Sequence, residues 1–221
     1  MPNKAVMCWS CGKDSATALW TLQQADEYEI VGLLTTLTEE YDRVSMSGVR
    51  RELLRRQASA LGLSVHEVWI PPQCINPVYE ARMGEAVRQL KEGGVEAVAF
   101  GDLFLEDIRE YREQQMAPTG LSCVFPIWGE DTGRLSHRMI ENGLRATLVC
   151  VDPRQVPAAL VGRAYDETLL AELPASADPC GERGEFHTFV WDAPNFKAPI
   201  EVRPGEIVER DGFFFADLVP A

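Results

Sequence analysis

Positive charge is scarce in this sequence: 21 Lys and Arg stand against 34 Asp and Glu, a net charge of -13 over 221 residues. That balance argues against a nonspecific grip on nucleic acid or on an anionic membrane, which needs cations to displace counterions. No DNA partner is expected, and the basic group Arg50, Arg51, Arg55 and Arg56, salted with Glu52, reads as a solvated helix face. Long apolar runs are missing too. Nothing reaches the roughly 18–20 residues of a membrane helix, and "MPNKAVMC" lacks the charged start and apolar core of a secretory signal. We therefore expect a cytoplasmic protein with no membrane partner. Histidine is rare, with three residues far apart, and the six cysteines are scattered with one isolated C-x-x-C at Cys8 and Cys11. Neither a zinc site nor a disulfide framework follows from that pattern. Internal repeats and low-complexity tracts are also absent.

What remains is an ordinary globular composition, 46% hydrophobic and 25% charged, in a chain long enough to bury a sizeable core. Apolar runs alternate with helical patterns. "KAVMCW", "EIVGLLTTL", "SVHEVWI" and "VEAVAFG" read as buried strands. Helices are expected over residues 15–24, through "GVRRELLRRQASALGL" with Gly62 as C-cap, over 78–92, and over 104–115. Near-continuous apolar strands between helices predict an α/β fold with a doubly wound, mostly parallel sheet. Its ligand crevice should lie where strand order reverses, bringing together residues 10–15, 35–46 and 101–102. After about residue 130 the style changes. A short helix near 134–142 and the strand "ATLVCVD" lead to "FHTFVWD", "APIEV", "EIVERDG" and "FFFADLV", with a hairpin turn at Asp211-Gly212. We divide the chain into an α/β domain, 1–130, and a smaller C-terminal α+β region, 131–221. The apolar "FFFADLV" tail supplies either an edge for a homodimer or a strand for its own sheet.

The most informative stretch is "SCGKDS", Ser10 to Ser15, set between the first strand and the first helix. Unpaired amides and the positive end of the helix dipole favour a phosphate there. Gly12 allows close backbone approach, Lys13 adds a charge, and Ser15 caps the helix or donates to a phosphate oxygen. The loop is not Walker A: Met7 stands at the first glycine position, and Asp14 replaces the hydroxyl that would hold magnesium.

The stretch instead resembles the S-G-G-x-D-S loop of the N-type ATP pyrophosphatases, the PP-loop superfamily, matching at Ser10, Gly12, Asp14 and Ser15. Together with "FGDLFLEDIREYRE" and "DPCGERGEFHTFVWDAP", it makes the whole chain resemble the diphthine–ammonia ligase family, including its bacterial-type relatives. The resemblance implies an adenine nucleotide alpha hydrolase-like fold. It also implies an enzyme that uses ATP and Mg2+ to adenylate a carboxylate, releasing pyrophosphate, and then transfers ammonia from ammonium to form an amide. The acceptor is a protein or small-molecule carboxylate. Residues 10–15 with Gly101 and Asp102 are then the nucleotide contacts, Asp14 and Asp102 the metal ligands, and Lys13, Asp14, Glu182 and Glu185 the catalytic set. Lys13 would meet the phosphates, while Glu182 and Glu185 would hold the metal or take a proton from ammonium in a mobile, glycine-flanked loop; His187 is a lesser base candidate.

Two departures stand out. Cys11 replaces the usual first glycine; a positive φ there would strain it, and a thiol at a helix N-terminus is also a candidate nucleophile beside the plainer reading of a tolerated small side chain. Ser47 stands where relatives often carry His, which would alter the acceptor pocket. Two alternatives stay open: sulfur or nitrogen transfer to an adenylated nucleobase, with Cys11 or Cys123 as carrier, and a nucleotide-binding regulator without turnover.

Overall fold

A computed structural model describes residues 2–221. Strand β1 (Asn3–Cys8) leads through the Ser10–Gly12 loop into helix α1 (Lys13–Ala25). There follow β2 (Tyr28–Thr38), the two-residue β3 (Arg43–Val44), α2 (Arg51–Leu61), β4 (Ser64–Ile70), α3 (Asn76–Glu92), β5 (Ala97–Ala99), α4 (Glu106–Met116) and β6 (Ser122–Val124). In one sheet β4, β2, β1, β5 and β6 pair in parallel in that order, and β3 lies antiparallel against the end of β2. Order reverses between β1 and β5, so the loops leaving their carboxyl ends face each other across a crevice.

The sheet is buried on both faces because its strands are apolar on both. Met7 and Leu33 face one core with Leu19 of α1 and Leu53 of α2, whereas Val6 and Leu34 face the other with Val87 of α3 and Met116 of α4. α2 stops where expected: Gly62 sits at φ 71°, and the Gly62 and Leu63 amides close the last turn on Ser59 and Ala58. α3 starts two residues earlier than its pattern suggests, with Pro77 in its first turn, where no intrahelical donor is needed.

The rest of the chain adds α5 (Thr132–Glu141), β7 (Arg145–Val151), α6 (Glu167–Glu172), β8 (Phe186–Asp192), β9 (Val202–Arg210) and β10 (Phe213–Pro220). These four strands form an antiparallel sheet in the order β8-β7-β10-β9. Leu148, Phe189 and Leu218 from it join Met7 and Leu33 in the same large core, so the second sheet packs on the α1/α2 side of the first. The hairpin at Asp211-Gly212 is present, with both residues at positive φ. One expectation is corrected: "APIEV" is no separate strand, because Pro199 lacks a donor and β9 begins at Val202 and takes in the whole of "EIVER". Of the two uses open to "FFFADLV", a strand of its own sheet is the one observed: β10 is paired on both sides, and β9 is the exposed edge. No described helix is long and apolar enough to cross a membrane.

Candidate active site

A cavity of about 350 Å³ opens at the strand-order reversal. Ser10, Gly12, Lys13, Asp14 and Ser15 form its floor; Val44–Ser47, Gly101–Asp102 and residues from Gly181 to Thr188 form its walls. The three loops expected to converge do so, joined by a fourth from the second sheet.

The floor is a strand-to-helix turn whose helix carries no side-chain cap of its own at Gly12. The cap comes from the other sheet: Thr188 on β8 accepts the Lys13 amide through Oγ1 at 3.1 Å. Ser10 Oγ accepts the Gly12 amide at 3.2 Å and lies 3.1 Å from Ser15 Oγ. Hydroxyls thus line the anion-binding end of the helix. Cys11 is at φ 68°, the left-handed conformation its glycine-like position demands. Its thiol is fully buried and burial raises its pKa, so the helix N-terminus does not make it a reactive thiolate, and it is absent from the cavity wall. Burial likewise raises the pKa of Cys123. Neither has the character of a sulfur carrier.

Lys13 is 2% exposed. Its Nζ donates to both Asp14 oxygens, at 3.0 and 2.8 Å, and to the Cys180 carbonyl, and lies 5.5 and 5.3 Å from the Tyr165 and Phe186 ring centres. Burial is the largest single influence and would lower its pKa, but Asp14, Cys180 and Asp178 together outweigh it and the net shift is upward, keeping the charge inside the floor. For Asp14 burial outweighs Lys13 and raises the pKa.

Gly101 lines the cavity and also packs against the phosphate loop. A Cβ on it would stand 2.9 Å from Asp14 C and Ser15 N, so the glycine lets the β5–α4 loop press against the helix start. Asp102 is spoken for: Arg112, stacked over Phe100, holds both its oxygens at 2.5 and 3.1 Å. No cluster of three or more His, Cys, Asp or Glu fit for a metal occurs among the described residues. Magnesium is commonly held by one or two carboxylates together with substrate phosphates. Asp14 and Asp102 both line the cavity, each paired with a cation, Lys13 or Arg112; Asp14, a quarter exposed, is the more open of the two.

Glu182 and Glu185 have opposite surroundings. Glu182 lines the cavity, with Oε1 accepting the Leu103 amide at 2.7 Å and Oε2 unengaged by any protein donor among the described residues. Burial, helped by Asp14 and Asp102, raises its pKa to about 7 against the pull of the Leu103 amide. Glu185 is 1% exposed and turned away from the cavity. Its oxygens accept the Asp178 and Arg183 amides at 2.8 and 2.9 Å, while Asp178 accepts the Glu182 amide at 2.9 Å. The segment is a self-braced turn rather than an open loop, and Glu185 is its brace, not a base. His187 lines the cavity, with burial lowering its pKa to about 4, so it is neutral at pH 7.

Two residues unforeseen from sequence complete the site. Arg112 fixes Asp102 from the next helix, and Thr188 caps α1 from 175 positions away, a contact with no local signature. Ser47, singled out as a departure, lines the cavity, and its buried hydroxyl has no hydrogen-bond partner among the described residues.

A strand-to-helix anion loop at the reversal of a doubly wound sheet, faced by a carboxyl tuned to neutral pH, defines a nucleotide-using α/β protein. Family comparison agrees. Residues 3–122 match the diphthamide synthase N-terminal domain and residues 131–216 the diphthamide synthase C-terminal domain, and the chain belongs to this family. Its similar proteins include a diphthine–ammonia ligase of Danio rerio, 28% identical over 96% of this chain and 86% of that one. Another, from Schizosaccharomyces pombe, is 26% identical over 91% of this chain but only 36% of its own length. The chain thus spans about a third of that longer relative. Among solved structures it is similar to a U34-tRNA thiolase, NcsA, from Methanococcus maripaludis with its 4Fe–4S cluster, at 16% identity and TM-score 0.39 over 64% of this chain and 58% of that one.

Proposed function

We propose that the protein is an ATP-dependent, AMP-forming amide ligase of the diphthine–ammonia ligase kind, acting on a carboxylate acceptor with ammonium as the nitrogen donor. The observation that carries this reading is one cavity that joins a phosphate-binding helix start to a carboxyl whose pKa is about 7.

An acceptor carboxylate oxygen attacks the α-phosphorus of ATP, the bond to the bridging oxygen breaks, and pyrophosphate leaves. The loop amides and the Lys13 charge stabilise the negative charge that develops on it. When bound, magnesium neutralises phosphate charge, and Asp14 is the carboxylate suited to hold it. In the second half-reaction nitrogen must lose a proton to attack the acyl carbon, after which AMP leaves. Glu182, ionised above about pH 7, takes that proton. His187, with a pKa near 4, is too weak a base for that task.

Incubation with Mg-ATP, ammonium and a metabolite extract, with the phosphorus products resolved, tests the first half. AMP and pyrophosphate are expected, and both should vanish in Lys13→Ala. ADP and phosphate would contradict the role given to the loop.

A further inference from the structure

Gln57 lies on α2, outside the cavity and 0% exposed, yet every polar atom of its side chain is used. Its Oε1 accepts from Trp9 Nε1 at 2.8 Å, and its Nε2 donates to the Cys11 carbonyl at 3.0 Å and to the Val190 carbonyl at 2.7 Å. The orientation is chemically forced: flipping the amide would set its oxygen against two carbonyls and its NH2 against an N–H. The Cys11 carbonyl also accepts the Val190 amide at 3.0 Å. One buried amide therefore ties together the end of β1, the residue at positive φ, and β8.

A non-glycine residue in the left-handed region persists only where its surroundings hold it there. Two donors fix the carbonyl of Cys11, and that peptide plane leads directly into Gly12 and the start of α1. Freed of the clamp, Cys11 would relax towards ordinary φ and turn the loop amides away from a phosphate. Glycine at the same position would need no clamp, since it visits positive φ without a Cβ clash.

We propose that Gln57 is a positioning residue for ATP: its side-chain amide holds Cys11 in the left-handed conformation that shapes the phosphate loop, making good the absence of glycine at position 11. The inference rests on the reading of that loop as the ATP phosphate site.

The test is titration calorimetry of Mg-ATP with the full chain and with Gln57→Met, Cys11→Gly and the double variant, alongside their melting temperatures. Gln57→Met should weaken ATP binding about tenfold, from the growth of loop conformers that do not bind. Adding Cys11→Gly should restore affinity to within about threefold of the unaltered protein, although the melting temperature stays lowered by the lost buried hydrogen bonds. That split is what a merely structural glutamine would not produce. Unchanged affinity in Gln57→Met, or affinity that Cys11→Gly fails to restore, overturns the proposal alone. Should Gln57→Met not fold, Trp9→Phe removes only the anchor on Oε1. A loss of about twofold to fivefold, again restored by Cys11→Gly, supports the proposal, and no loss or no restoration overturns it. Failure of the unaltered chain to bind Mg-ATP at all overturns the functional reading and, with it, this one.

Discussion

The two loops that meet in the cavity differ in how much of their bracing is their own. The Ser10–Ser15 loop leans on distant elements: Gln57 clamps Cys11, Thr188 caps Lys13, and Gly101 lets a neighbouring loop press on the helix start. The Asp178–Glu185 turn carries three side-chain braces within itself, Glu185 accepting the Asp178 and Arg183 amides and Asp178 the Glu182 amide. Bonds from Tyr165 and Lys13 to its Pro179 and Cys180 carbonyls add to these, and it reaches across to the Leu103 amide through Glu182. A loop braced mainly by distant elements can be upset by changes far from it, whereas a turn with braces of its own should be most sensitive to changes inside it. The contrast also separates Glu182 from Glu185, three positions apart, one free to exchange a proton and the other committed to structure.

Changes that remove charge from the floor should act most strongly. Lys13→Ala should lower AMP formation by at least about 100-fold, read from phosphorus products, as one preorganised cation is lost from a water-poor site. Glu182→Gln should reduce ammonium-dependent turnover by about 100-fold or more. In the unaltered protein that rate should rise with pH through about 7, where Glu182 ionises, and the limb should disappear in the variant. The same shift acts on stability with the opposite sense. A carboxyl whose pKa is raised by folding favours the folded state below its unfolded value of about 4.3, and that contribution is lost as pH rises through about 7.

Glu185→Ala should instead destabilise by about 2–4 kcal/mol in denaturant melts, since two amides lose buried acceptors; a first-order loss of activity in folded protein would show that the division between the two carboxylates is wrong. Smaller still is Asp217→Asn. Asp217 on β10 binds Arg43 and Arg50 at 2.8 and 2.6 Å, pinning the cavity wall at residues 43–50 to the second sheet. About 1–2 kcal/mol should be lost. The smallest effect on stability belongs to Ser47→Ala, which removes a hydroxyl without a partner and should leave the melting temperature unchanged or slightly raised.

Sequence made the doubly wound sheet legible because its signals are local: two-faced apolar strands, helical spacing, Gly62 as a stop. The phosphate loop was legible for the same reason, its order of residues being its chemistry, down to the strain at Cys11. Spacing alone could not say which of Glu182 and Glu185 faced the cavity, because both orientations suit a glycine-flanked turn. Asp102 looked free because Arg112 reaches it from the next helix. Gln57, 46 positions from Cys11, sits on a helix face that reads simply as core, and Thr188 is 175 positions from the helix it caps. Such contacts exist only once the two sheets are packed together.

The measurement that bears most directly on the whole account pairs two yields. The protein is supplied with Mg-ATP, 15N-labelled ammonium and a metabolite or protein extract as the source of acceptor, and AMP is counted against 15N-labelled amide. The account predicts one labelled amide per AMP, with both lost in Glu182→Gln. Bound ATP without AMP, or AMP formed at a rate indifferent to ammonium and with no label in any amide, would contradict it.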